Sequence, residues 1–290
     1  MEIESKHFWV QPDKPLKLNK IRTIADKDFS KEKMQKEINE TVAELKLLQE
    51  KLFADHRYAV LIIFQAMDAA GKDGAINHVM SGLNPQGVNV ASFKHPSAEE
   101  YNHDFFWRFN RHLPEQGTIG IFNRSYYENS LICKVHPELI LNEKLPCIRS
   151  VKDINNHFWN QRVKQMKRYE KNLHQEGTII LKFYLHISKD EQLQRLKDRI
   201  NDPSKHYKFN YTDIEERGYW NDYMKCYEEI LTKTSTPHCP WFLIPADDKW
   251  YARAAIANIV KEKLQELNLK SPVMGDKEIK RIKKALDKAD

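Results

Sequence analysis

At 290 residues, with 41% hydrophobic and 30% charged side chains, the chain can bury a sizeable core beneath a very polar surface, as one large α/β domain or two small ones. Its net charge of +6 suits a polyanionic ligand without requiring one, and four scattered cysteines (Cys133, Cys147, Cys226, Cys239) lacking C-x-x-C spacing argue against a disulfide framework or a zinc site. No run reaches the length of a membrane span, and the opening residues lack the apolar core of a signal peptide, so a cytoplasmic protein without a membrane partner is expected.

Residues 1–29 are polar, carry Pro12 and Pro15, and read as an irregular arm lying on the domain. Ser30 can cap a helix to about Ala54, with Met34, Ile38, Val42, Leu45, Leu48 and Leu52 on one stripe. Five apolar runs then read as strands, at 58–64, 88–93, 118–122, 178–187 and 241–245. Helical patterns lie between them, the alternation of a parallel sheet wrapped by helices. Ser188 and Glu191 form a capping-box pattern that opens another helix. That helix breaks at Asn201-Asp202-Pro203, passes through a basic, aromatic connection, and gives way to a long helix over roughly 212–233. Nucleoside-monophosphate kinases carry a lid at such a place, which sets an expected lid at about 195–233 within a domain spanning 30–268. Residues 269–290 read as a charged, solvated tail.

The first strand runs directly into Gln65-Ala66-Met67-Asp68-Ala69-Ala70-Gly71-Lys72-Asp73-Gly74, and a helix can follow. Strand, small-residue loop and helix start make an anion cradle of inward N–H groups, helix dipole and a lysine charge. The phosphate-loop pattern G-x-x-x-x-G-K-[ST] is met imperfectly, because Ala66 replaces its first glycine and Asp73 its hydroxyl residue. Lys72 is the candidate for neutralising a transferring phosphoryl group. Asp68 inside such a loop would repel phosphate, which points either to a magnesium ion between them or to a carboxylate that orients the attacking oxygen. An Asx-turn role competes with both.

The third strand ends in Asn123-Arg124-Ser125-Tyr126-Tyr127-Glu128. Asn123 cannot bring negative charge to a metal, whereas Glu128 can do so beside Asp68, and Arg124 can grip phosphate through two nitrogens. Arg195 and Arg199, one turn apart, together with Lys205 and Lys208 resemble a mobile clamp over phosphate. On a generic helix they would be solvated charge. None of the twelve histidines has a nucleophile context, and each reads as structural or surface.

These residues resemble the polyphosphate kinase 2 family, in its class III subgroup. The resemblance is carried by Ala66 to Gly74, Gly82-Leu83-Asn84-Pro85-Gln86-Gly87, Ser92-Phe93-Lys94-His95-Pro96, Phe122 to Glu128, and the lid segment from Arg195 to Phe209. It spans roughly residues 30–265. What it implies is a thymidylate-kinase-like P-loop fold with a helical lid, a homo-oligomer (dimer or tetramer), and magnesium, with manganese as a substitute. The implied reaction is reversible transfer of the terminal phosphate of inorganic polyphosphate to AMP and ADP.

The site set is then Asp68, Lys72, Arg124, Glu128 and Arg199 for catalysis, with Asp68 and Glu128 on the metal. Ala69, Ala70, Gly71, Lys72, Asp73, Gly74, Arg195, Lys205 and Lys208 would bind polyphosphate, and Asn84, Lys94, Arg108, Asn123, Arg124 and Glu128 the nucleotide. Three rivals remain at this level: an ATP-dependent nucleoside-monophosphate or thymidylate kinase, a nucleotide-binding regulatory module, and a nucleic-acid-binding protein. No nucleic-acid partner is expected under the leading reading.

Overall fold

The structure, a computed structural model, describes residues 3–25 and 29–288. Helix α1 (Lys31–Asp55) starts where Ser30 accepts a hydrogen bond from Lys33 N at 3.2 Å, and it ends at His56 in the left-handed region. Strand β1 (Ala59–Ala66) is buried along its whole length, in keeping with its unbroken apolar run from Ala59 to Phe64 rather than an alternating pattern. Then come α2 (Lys72–Met80), β2 (Val88–Ser92), the short α3 (Trp107–Asn110), β3 (Ile119–Asn123), the short α4 (Ile132–Val135), α5 (Asn156–Gln175) and β4 (Thr178–His186). The chain continues through α6 (Lys189–Asn201), α7 (Thr212–Gly218), α8 (Trp220–Thr234), β5 (Trp241–Pro245), α9 (Lys249–Gln265) and α10 (Asp276–Leu286).

The five strands form one parallel sheet in the order β2-β3-β1-β4-β5, a P-loop-kinase-like arrangement. Helices α1, α2 and α9 pack together, and so do α5 and α8. Right-handed crossovers send the chain leaving β1 to one face and the chain leaving β3 to the other. The neighbouring tips of β1 and β3 therefore diverge, and such a switch point opens a crevice at the carboxyl ends of the strands.

Two expectations change here. The N-terminal arm is woven into the domain: Ile3, Phe8, Val10 and Leu18 are buried. Trp9 bridges Phe242 antiparallel, with Val10 N to Trp241 O at 2.9 Å and Leu243 N to Phe8 O at 2.8 Å. The stretch 212–233 is two helices, and α8 packs into the core through Trp220, Tyr223, Tyr227, Ile230 and Leu231, so 195–233 is not one detachable lid. The projecting part is the 3₁₀ turn Pro203–Lys208 with α7, where no α7 residue is buried. Helix α10 is exposed throughout. Among the described residues, no helix is long and apolar enough to cross a membrane.

Candidate functional site

The loop after β1 turns on backbone that side chains rarely adopt: Ala69 has φ 62° and Gly71 has φ 105°. A Cβ on Gly71 would also sit 3.5 Å from the Arg195 guanidinium. Left-handed geometry directs successive N–H groups inward, into the concavity that binds anions. Lys72 opens α2 and lies nearly buried at 9% exposure. Its Nζ donates to Ala66 O at 3.1 Å and Met67 O at 3.5 Å, which leaves a third N–H of the ammonium. Burial foremost, then the Arg124 charge, lowers its pKa, while Asp68, Glu128 and Asp73 oppose the shift.

Across the crevice, Arg124 also has left-handed backbone, with φ 65°. Its Nη2 donates to Asp68 Oδ1 at 2.8 Å, tying the tip of β3 to the loop after β1. Glu128 foremost, with Asp68, holds the guanidinium firmly protonated. Beside them Asn123 Nδ2 donates to Asp73 Oδ1 at 2.8 Å, and buried Gln65 donates to Ser125 Oγ at 3.1 Å.

Of these groups Asp68, Arg124 and Ser125 border a cavity of about 560 Å³, which is also lined by Lys94, Arg108, Glu128 and Asp213 with several aromatic rings, whereas Lys72, Asp73 and Asn123 do not line it. That volume falls within the range that holds a nucleotide-sized molecule. Arg108 is fixed on its wall by Lys94 O at 2.9 Å, by Glu100 at 3.2 Å and by the rings of Phe93 and Phe109. Two further hollows, of about 750 and 590 Å³, border the N-terminal arm and contain none of the expected site residues. Chemistry, not size, selects the site.

The structure thus brings Asp68, Lys72, Asp73, Asn123, Arg124 and Glu128 together, with Lys94 and Arg108 on the same wall. It corrects three expectations. Arg195 is no free clamp: Nε donates to Glu191 at 2.7 Å, Nη1 to Ala69 O at 3.3 Å and Ala70 O at 2.8 Å, and Nη2 to Ala246 O at 2.7 Å and Asp247 O at 2.9 Å. All five of its N–H donors are engaged, so it buttresses the loop from beneath. Asn84 does not line the cavity. Its side chain caps a 3₁₀ turn through Gln86 N, and its backbone pairs with Gln49 on α1. Lys205 is half exposed, pairs with Asp202 at 2.5 Å and also stands off the cavity. The Lys208 side chain lies outside the described residues. Arg199 faces Asp213 at 3.6 Å.

Asp213 was not foreseen. At the start of an expected helix it reads as a capping residue, yet it lines the cavity. Burial, followed by the nearby Asp68 charge, raises its carboxyl pKa. Gln192 was missed too; its amide donates to Asp68 O at 3.0 Å and accepts from Arg217 at 2.8 Å.

Among the described residues, no three His, Cys, Asp or Glu side chains gather into a metal-binding group. Magnesium needs only one or two carboxylates, with substrate phosphates completing its shell. Asp68, Glu128 and Asp213 face one cavity with hard oxygen donors, and Asp213 feels the Asp68 charge. The residues fit such an ion, provided Arg124 yields part of its hold on Asp68.

A family model described as polyphosphate kinase 2 matches residues 28–272. The chain is 47% identical over 273 residues to a Rhodopseudomonas palustris protein named ADP-polyphosphate phosphotransferase, covering 94% of this chain and 93% of that protein. It is 41% identical over 228 residues to a Meiothermus ruber protein named AMP/ADP-polyphosphate phosphotransferase, covering 79% and 80%. The crystal structure of polyphosphate kinase 2 from Arthrobacter aurescens superposes with a TM-score of 0.82 at 35% identity, covering 92% of this chain and 93% of that one.

Proposed function

The chain belongs to the polyphosphate kinase 2 family and is a phosphotransferase, and on that premise we propose that it moves the terminal phosphate of inorganic polyphosphate onto both AMP and ADP. The observation that carries this reading is that Asp68, Arg124 and Glu128 line one nucleotide-sized cavity at the β1–β3 switch point, with the Lys72 ammonium close enough to feel all three charges. Similarity to relatives named for ADP and for AMP/ADP supports an adenine nucleotide acceptor. Similarity to the Meiothermus ruber relative, named for both AMP and ADP, supports acceptance of AMP.

The transfer is direct. An oxygen of the acceptor's last phosphate attacks the end phosphorus of the chain, and the new P–O bond forms as the P–O bond to the shortened chain breaks. The departing oxygen keeps the electron pair. No strong base is needed, because nucleotide phosphate oxygens are already ionised near neutral pH, and such transfers depend on positioning and charge stabilisation.

Lys72 and the N–H groups of 69–74 hold the donor's terminal phosphates, while Arg124 steadies charge on the transferring group. Arg199 approaches from the α6–α7 side, and Asp68 and Glu128 are the residues that would hold magnesium. An ion held there would supply neutralisation of the phosphate charge. Lys94 and Arg108, which line the same cavity, steady the nucleotide.

The test is direct. Purified protein, long-chain polyphosphate and magnesium are incubated with AMP or with ADP, and the nucleotides are separated. ATP formed from ADP, and ADP then ATP formed from AMP, is the expected result. Turnover with ATP as the only competent donor would replace this reading by a conventional nucleotide kinase, and product from ADP alone would remove the AMP half.

A further inference from the structure

Arg124 and Glu128 flank two tyrosines whose hydroxyls meet deep inside the protein. Tyr126 OH and Tyr127 OH both donate to Glu170 Oε1, at 2.8 and 2.6 Å. The other oxygen, Glu170 Oε2, takes the ammonium of Lys182 at 2.6 Å. Lys182 also donates to Tyr127 OH at 3.0 Å and to Thr234 O at 2.8 Å. Lys182 and Glu170 are 0% and 1% exposed in their side chains, and both tyrosines are fully buried.

A closed ionic network in the middle of β4 is a costly way to fill a core. Apolar residues of similar volume commonly serve as well or better, so direction rather than stability calls for explanation. Two phenols aimed at one carboxylate oxygen fix the rotation of the 3₁₀ turn Tyr126–Ser130. That turn carries Glu128 on its inner side and follows Arg124, whose backbone is held in the unfavourable left-handed region. Strained positions persist only where their surroundings over-determine them. Here the surroundings are Gln65 on Ser125 from one side and the Glu170–Lys182 pair on the two phenols from the other.

We propose that Glu170 and Lys182 are positioning residues for phosphoryl transfer, holding Tyr126 and Tyr127 so that Arg124 and Glu128 stand at the transfer point. The inference rests on the reaction proposed above. Neither residue touches substrate; both act through the turn.

Three variants test it: Tyr126→Phe, which removes one hydroxyl and leaves the Lys182–Tyr127–Glu170 contacts; the double Tyr126→Phe/Tyr127→Phe; and the charge-free Glu170→Leu/Lys182→Met. Each is measured for thermal midpoint, for kcat and KM with polyphosphate and ADP per folded molecule, and again combined with Arg124→Ala. In the two double variants kcat is expected to fall about 10- to 100-fold, the scale of an ångström-sized misplacement, with each KM within about threefold. Arg124→Ala should then cost far less than in the parent, because the guanidinium is already out of place. Unchanged kcat, additive losses, or unfolding of even Tyr126→Phe would overturn the proposal and leave the network a core feature only. Failure of the underlying reaction shows separately, as no polyphosphate turnover by the unmodified protein.

Discussion

Asp68 and Arg124 meet at 2.8 Å across the gap between β1 and β3, each on a backbone segment bent by its switch-point position. The pair sets opposite charges on the cavity lining that a bound phosphate and its counter-ion would have to divide between them. Asp68→Asn keeps the shape and one acceptor while removing the charge. It is expected to lower polyphosphate-to-ADP turnover by about 100-fold or more, the scale of losing one preorganised charged contact. Chelating divalent metal should abolish the same reaction, and magnesium added back should restore it in the parent but not in Asp68→Asn. Initial rates against total magnesium decide the matter; metal-independent turnover would show that the two carboxylates serve another purpose.

Lys72 is nearly buried, its ammonium folded against Ala66 O. Lys72→Ala should reduce kcat by about 100-fold or more, and Lys72→Arg should recover little, because the planar guanidinium needs space and partners that a compact ammonium does not. Single-turnover rates at saturating polyphosphate separate loss of chemistry from loss of binding.

Arg195 and Arg199 stand one turn apart on α6 and should behave differently. Arg195→Ala strands the carbonyls of Ala69, Ala70, Ala246 and Asp247 and should cost about 2–4 kcal/mol of stability, the range for leaving buried acceptors unpaired. Arg199→Ala loses only a partly exposed pair with Asp213 at 3.6 Å and should change stability by less than about 1 kcal/mol while weakening turnover. Urea midpoints for the two variants check the contrast. Equal stability would return Arg195 to the clamp role suggested by its spacing.

Acid should loosen the N-terminal arm through His186. Its Nε2 lies 3.1 Å from Leu18 O and 3.3 Å from Ile21 O, and Nδ1 is buried without a partner among the described residues. Burial lowers the folded-state pKa below 6.5, against smaller opposing contributions from those carbonyls and Asp247. The unfolded chain therefore binds the extra proton more readily. The neutral ring's contribution to stability is fully present above about pH 6.5 and declines as pH falls through that value toward the lower folded-state pKa. Stability measured from pH 8 to pH 5 should show this acid-side slope, and His186→Gln should flatten it.

Most of the scaffold was legible because its signals are local. Continuous apolar runs such as Val60–Phe64 mark strands covered on both faces, Ser30 and Ser188 cap their helices, and a strand turning into Gly71-Lys72 marks the cradle. The resemblance held at the level of the polyphosphate kinase 2 family, and it drew on the same segments. What stayed hidden depends on distant chain meeting at one point. Four carbonyls from two loops converge on Arg195, and nothing in Arg195-Leu196-Lys197-Asp198-Arg199 announces them. Asn84 lies in a segment that carries the resemblance, yet its contacts are to α1. The buried network did leave one trace: Lys182 interrupts an otherwise apolar strand, and a lysine there must find an anion. Its partner Glu170 sits on a helix of charged residues, where no pattern distinguishes the buried carboxylate from its solvated neighbours.

The arm that pairs Phe8 and Val10 with β5 has a consequence for assembly. It occupies backbone donors and acceptors that would otherwise run along that flank, so a foreign strand finds no template there. Among the described residues, the other flank is β2, where Asn89 and Val90 are exposed and the outer edge pairs with no strand. Growth of this sheet by annexing a second polypeptide has a single direction open to it.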